Sequence, residues 1–258
     1  SRTVRFCVTP SSKGGETRNG FAGWPAMAEL GAYYELDVRV AGRPNPETGY
    51  LINIRTIDEV VRAHAIDLIG DAYRCKGIDP ASIIGDIARA IDGALDVELT
   101  SVRWHLTPYH SITVTSDVDH IVIRQQFEFS AAHRLHVASM TDDENAACFG
   151  KCNNPSGHGH NYRLEVAVES PLTDEGGAVD IGTIECIVLG HVIDRFDHKN
   201  LNLDTKEFAD VNPSVEHIAR ACHRLLAGPF DVAGGRLVEV TVWETEKTSC
   251  TYRAENIH

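Results

Sequence analysis

The sequence predicts an α+β fold laid out as two copies of one unit, each running strand pair, helix, helix, strand pair. Three observations carry this reading. The chain repeats itself at about half its length, both copies open on a strand-type alternation of apolar and polar residues, and both continue into apolar stripes at helical spacing. The 258 residues are 43% apolar and 24% charged, the composition of a folded globular chain.

The repeat aligns YELDVRVAGRPNPETGYLINIRTIDEVVRAHAID, beginning at Tyr34, with YRLEVAVESPLTDEGGAVDIGTIECIVLGHVID, beginning at Tyr162, across a single one-residue gap. Leu36, Val38 and Val40 match Leu164, Val166 and Val168 on one strand face. The turns RPNPETG and SPLTDEGG follow, rich in residues that set turn dihedrals, and each leads to an expected short second strand, LINI or AVDI. In the second copy Ile184, Ile187, Val188, Val192 and Phe196 then fall on one helical face. A further helix is expected from Ser214, with Val215, Ile218, Ala219, Cys222, Leu225 and Leu226 as its stripe and Gly228 and Pro229 as its stop. Its counterpart begins near Asp79 and Pro80. Both copies close on alternating strands, VRWHL and SITVT in the first, LVEVTVW and SCTYRA in the second. SDVD at 116–119 is the expected junction, which divides the chain into 1–118 and 119–258.

A net charge of −13 argues against a general nucleic-acid or anionic-membrane binder. No apolar run approaches the roughly 18 residues of a membrane span, and SRTVRF carries no hydrophobic signal core, so a cytoplasmic protein is expected. Seven cysteines make a disulfide framework a poor expectation and direct attention to thiol or metal chemistry. Of the 13 histidines, all but His64, His105 and His110 lie from His120 onward.

Residues 127–162, FEFSAAHRLHVASMTDDENAACFGKCNNPSGHGHNY, hold the densest chemistry. Residues two apart in a strand point the same way, so His158 and His160 present two imidazoles to one side with Gly159 between them. His133 shares parity with Phe127 and Phe129 and would supply a third nitrogen from a neighbouring strand. Three neutral imidazoles with a fourth position open form a catalytic zinc site. Two other readings stay open: His133 as a hydrogen-bonded core residue, and a structural zinc on Cys148, Cys152, His158 and His160, spaced C-x3-C-x5-H-x-H.

FSAAHRL, FGKCNNPSGHGHNY, FDHKNLN and VWETE occur in the order and spacing of a known family. The second half resembles 6-pyruvoyltetrahydropterin synthase over nearly its whole length. The resemblance implies a tunnelling fold (T-fold), in which each unit lays two helices on a four-stranded antiparallel sheet and units assemble into a barrel. It implies that His133, His158 and His160 bind zinc, that Cys152 is the catalytic base, that Asp197 and His198 activate it, and that Glu244 holds the pterin ring. The implied substrate is 7,8-dihydroneopterin triphosphate, which loses triphosphate while protons shift along its side chain. A thiol is a weak base until a neighbouring positive charge lowers its pKa, a use for His198 with Asp197; by itself, the same pair would also serve as a helix end. Glu244 shares strand parity with Val238, Val240 and Val242, and a carboxylate on that face wants a partner such as the adjacent N–H donors of a pterin. Lys151, Arg134 and Lys199 are the basic residues nearest these motifs and candidates to meet a triphosphate.

Related 6-carboxytetrahydropterin synthases carry the cysteine as C-x3-H-G-H, whereas Cys152 to His158 is C-x5-H, which favours the pyruvoyl type. A noncatalytic zinc-binding assembly module is the other rival. The first copy has Leu30 and Ala32 where the second has His158 and His160, Gly70 and Asp71 for Asp197 and His198, and Leu106 for Glu244. It is therefore expected to be a scaffold without site residues. The resemblance implies a homo-oligomer, a homotrimer forming a pseudo-hexamer or a larger assembly, with one zinc per chain.

Overall fold

The computed structural model describes residues 1–11, 24–27, 29–75, 77–173 and 176–254. Strands β1 (Arg2–Val8) and β2 (Ala32–Ala41) are followed by helices α1 (Ile54–Arg74) and α2 (Pro80–Asp92) and strands β3 (Glu98–Thr107) and β4 (His110–Thr115). Then come β5 (His120–His133), α3 (Asp142–Phe149), a 3-10 turn (Gly150–Asn153), β6 (His158–Thr173) and the short β7 (Gly176–Gly177). The chain continues through α4 (Ile181–Val188), a π turn (Leu189–Ile193), α5 (Asp194–Phe196), β8 (Lys199–Asn200), α6 (Leu201–Asp204) and a 3-10 turn (Lys206–Phe208). It closes with α7 (Val215–Val232), β9 (Arg236–Thr245) and β10 (Thr248–Tyr252). Two compact units result, Ser1–Ile123 with Ser170–Ala178, and Arg124–Glu169 with Val179–His258.

In the first unit β1, β2, β3 and β4 pair antiparallel in that order. Val4, Phe6, Leu36, Val38, Val102 and Trp104 fill the face that α1 and α2 cover with Val61, Ile69, Ile84, Ile87 and Ile91. Asn53 caps α1 by accepting from the Arg55 N–H at 2.9 Å, and Asp79 caps α2 by accepting from Ala81 at 2.9 Å, with Pro80 in the first turn. Asp58 on α1 is 1% exposed and lies between Arg2 Nη2 at 3.1 Å and Arg62 Nε at 2.7 Å, fastening β1 to the helix.

The second unit orders its strands β5, β6, β9, β10, with α7 across β9 and β10. Its core joins Phe129, Tyr162, Leu164, Val166 and Val242 to Ile184, Phe196, Ile218, Cys222, Leu226 and Phe230. Ser214 caps α7, its hydroxyl accepting from His217.

Three local expectations change. LINI and AVDI form no strands; Asn53 and Asp180 within them act as helix caps, and in the second copy the short strand falls instead on Gly176–Gly177, which pairs with β6. Pro229 does not end α7, which continues to Val232; fully burying Phe230, about 1.5–3 kcal/mol, offsets an interior proline's cost of about 3 kcal/mol. Buried Ile184, Val188, Val192 and Phe196 recur every fourth residue, which drifts about 40° per step on an α-helix, and the wider π turn within the run absorbs that drift. Among the described residues, the strands of one chain do not close into a barrel; β1 and β10 each pair on one side only. No described helix is long and apolar enough to cross a membrane.

Candidate active site

His133 ends β5 and is completely buried. Its Nδ1 lies 2.7 Å from the Pro213 carbonyl, to which it donates, so its Nε2 carries a lone pair turned inward. His158 Nε2 is 3.1 Å from that atom, and the nearest ring nitrogens of His133, His158 and His160 all lie within 4.8 Å of one another. Burial holds His133 and His160 below the ordinary imidazole pKa, in the neutral form that ligates. His160 Nε2 is buried without a hydrogen-bond partner. Converging lone pairs with no proton to share fit a cation, and these residues are the one group so arranged among the described residues. Cys148 and Cys152 stand outside it.

Glu244 on β9 enters the same place: Oε1 is 3.3 Å from His133 Nε2 and 3.6 Å from His160 Nε2. The Cys152 thiol, half-buried on the 3-10 turn, is pushed up in pKa by burial and then by the charge of Glu244. As it stands it is a thiol, and it would need a positive neighbour to act as a base. The Tyr162 hydroxyl, fully buried and unpartnered, is also held up by burial, by Glu244 and by Cys152.

Asp197 and His198 form a pair of their own. Asp197 Oδ1 accepts from the Ser130 N–H at 2.8 Å and its Oδ2 is 2.7 Å from His198 Nδ1, and these two bonds hold the carboxyl below the usual range. His198 has φ of 56° and passes its N–H to the Ser130 carbonyl at 2.6 Å, while its side chain is 82% exposed. It lines a cleft of about 500 Å³ with Ser130, Gly159, His160, Asn161 and Lys199. A second cleft of about 630 Å³ receives Lys151, Asn153, Asn154 and His158. No hydrogen bond joins Cys152 to Asp197 or His198 within the described residues.

Sequence reading missed the asparagines that hold this site. Asn202 Oδ1 accepts from the Arg134 N–H at 2.7 Å and its Nδ2 donates to the Arg134 carbonyl at 2.9 Å, completing the strand end beside His133 as a paired strand would. Asn145, fully buried, accepts from Val137 N at 2.8 Å and donates to Val137, Met140 and Thr141 carbonyls. Asn212 Oδ1 accepts from His136 N at 2.9 Å. Asn202 lies in FDHKNLN, so its motif was visible although its partner was not. Of the other glutamates, Glu128 is exposed, Glu165 accepts from Gln126 Nε2 at 2.9 Å, and Glu169 pairs with Arg236.

The family model described as "6-pyruvoyl tetrahydropterin synthase" matches residues 122–255. The human protein named 6-pyruvoyl tetrahydrobiopterin synthase is 36% identical over 134 residues, 52% of this chain and 91% of its own length. A probable 6-carboxy-5,6,7,8-tetrahydropterin synthase of Halobacterium salinarum is 35% identical over 91 residues, 35% of this chain and 49% of its own. The solved Caenorhabditis elegans 6-pyruvoyl tetrahydropterin synthase is 33% identical, covering 52% of this chain and 95% of its own, with a TM-score of 0.49.

Proposed function

Because the chain belongs to the 6-pyruvoyl tetrahydropterin synthase family, we propose that its second half is a lyase that releases triphosphate from 7,8-dihydroneopterin triphosphate and leaves 6-pyruvoyltetrahydropterin. The observation that carries the reading is the convergence of His133, His158 and His160 on one point beside Glu244. These three imidazoles would hold zinc, which when bound supplies Lewis acidity at the side-chain oxygens of the substrate. Cys152 would take the proton from a hydroxyl-bearing carbon. Glu244 would accept the N–H donors of the pterin ring and so bring its side chain against the imidazoles.

Asp197 would keep the His198 imidazole oriented, and the pair together would activate Cys152. No hydrogen bond joins Cys152 to His198 among the described residues, which supports a site completed by a neighbouring copy. On this reading the chain is a tandem pair of T-fold units, 1–118 without site residues and 119–258 with them, and a homotrimer would form the ring of six units.

Mass analysis of the product formed from 7,8-dihydroneopterin triphosphate tests the proposal. A pyruvoyl product with free triphosphate is expected. A 6-carboxy product would assign the chain to the alternative activity that the Halobacterium relative's name states, and absence of turnover by the zinc-loaded protein would leave the assembly-module reading. Cys152→Ala should lose roughly 10²- to 10⁴-fold in turnover with zinc content unchanged. Full turnover in that variant would remove Cys152 from the mechanism.

A further inference from the structure

We infer that Arg134 is a positioning residue that fixes the Cys152 turn to the metal-bearing strand, and is not a ligand for the phosphates of the substrate; this rests on the proposed role of Cys152. Two links join the strand end to the turn, one at the Cys152 carbonyl and one at Asn153, the residue that follows it. Leu135 N–H donates to the Cys152 carbonyl at 2.9 Å. Arg134 Nε donates to the Asn153 carbonyl at 3.2 Å, and its Nη2 donates to Asn153 Oδ1 at 3.2 Å. His136 Nδ1 joins the same knot, 3.3 Å from Arg134 Nη2 and 3.1 Å from Asn153 Oδ1.

The frame extends to the proposed metal ligand. Residue 134 follows His133, and Asn202 holds both the N–H and the carbonyl of residue 134. Gly157, at φ +70°, sits so close to this strand end that a Cβ there would stand 3.0 Å from the His133 carbonyl oxygen. Thus the strand that delivers His133 and the turn that delivers Cys152 are stitched into one piece by Arg134 and the backbone around it. A guanidinium spreads its donors in a rigid fork, which is what two acceptors on one asparagine require; a lysine ammonium keeps the charge and loses the fork. A phosphate ligand would register in KM, because its contact is made to the substrate and not to the turn that carries Cys152.

The test is Arg134→Lys in the zinc-loaded protein, with two readouts. The first is the rate of alkylation of Cys152 by iodoacetamide at one fixed pH, followed by mass spectrometry of tryptic peptides. Cleavage after Lys151 puts Cys148 and Cys152 on separate peptides, and exposed Cys148 serves as the internal control. With two hydrogen bonds gone, Cys152 should react about tenfold faster while Cys148 is unchanged. The second readout is kinetic: kcat should fall with KM for 7,8-dihydroneopterin triphosphate unchanged. A Cys152 alkylation rate within twofold of wild type, or a rise in KM at constant kcat, overturns the inference. Should Arg134→Lys not fold, Asn153→Ala removes the side-chain acceptor alone and is expected to accelerate Cys152 alkylation by a smaller factor; no change there overturns the inference as well. Alkylation is read without turnover, so an inactive wild-type protein would count against the proposed reaction and leave this result standing.

Discussion

The two units spend matching stretches of chain in different ways, and the helix that follows the first turn shows it best. In the first unit α1 starts after its Asn53 cap and runs unbroken through Gly70 and Asp71 to Arg74. In the second unit the corresponding helix starts after Asp180, widens into a π turn and stops at Phe196. The next residues, Asp197 and His198, leave the helix, and Lys199–Asn200 pair with Ala131 and Ala132 instead. Ending the helix early frees the segment that carries Asp197, His198 and Asn202. The same register holds on the sheets: Glu35 faces His105 as Arg163 faces Trp243, which sets Leu106 against Glu244. Backbone pattern is thus shared where packing decides it, and chemistry departs where a helix end or strand end decides it.

The largest expected effect breaks this comparison at its chemical end. His133→Ala should strip the metal, with a loss in affinity beyond the roughly 10- to 100-fold typical of removing a supporting partner, and should abolish turnover. Leu30→Ala, at the first unit's counterpart of His158 and 91% exposed, should change neither. Metal analysis should give one zinc per chain in the wild type. Two zincs per chain, or zinc retained by His133→Ala and lost from Cys148→Ala and Cys152→Ala, would overturn the assignment.

What the sequence made legible followed from short-range rules. Alternation revealed β2 and β6, Asp79-Pro80 and Ser214 announced their helices, and His-Gly-His parity brought His158 and His160 to one side. Pro229 misled because the rule that proline stops a helix takes no account of the complete burial of Phe230 beside it, and burial is a tertiary fact that local sequence does not state. The π turn could be inferred only from the exact four-residue rhythm of its buried residues. Asn202 bonding Arg134 lies 68 residues from it, and Asn212 bonding His136 lies 76 residues away, so no spacing rule reaches them. The histidine face was written locally, and the frame that holds it was not.

A middle-sized effect should fall on the first unit alone. Asp58→Ala leaves two guanidiniums, Arg2 and Arg62, facing each other without their shared carboxylate. A destabilisation of about 2–3 kcal/mol is expected, below the range for a fully buried pair because both arginines retain contact with water. Hydrogen exchange should show faster opening across β1 and α1, with zinc content per chain unchanged. Loss of zinc in step with that opening would show that the first unit is more than a scaffold for the second.

The smallest effect separates the units by pH. His223 on α7 is 6% exposed, its ring lies 5.1 Å from that of Tyr252, and burial lowers its pKa below the ordinary 6.5. A histidine depressed in the folded state binds fewer protons than in the unfolded chain, so its contribution is complete above pH 6.5 and is lost as pH falls toward the folded value. In the first unit Asp37 is depressed below 3.8, foremost by its hydrogen bond with His105, and its stabilisation is complete above that value and lost only below it. Acidifying the zinc-loaded protein from pH 7 to pH 5 should therefore loosen α7 and β10 through His223 before Asp37 begins to lose its charge in the first unit. Hydrogen exchange corrected for intrinsic pH dependence measures this, and His223→Phe should flatten the response of α7 while leaving β2 and β3 as they were. Equal acid sensitivity of α7 in wild type and His223→Phe would remove His223 as the cause and, with it, this difference between the two units.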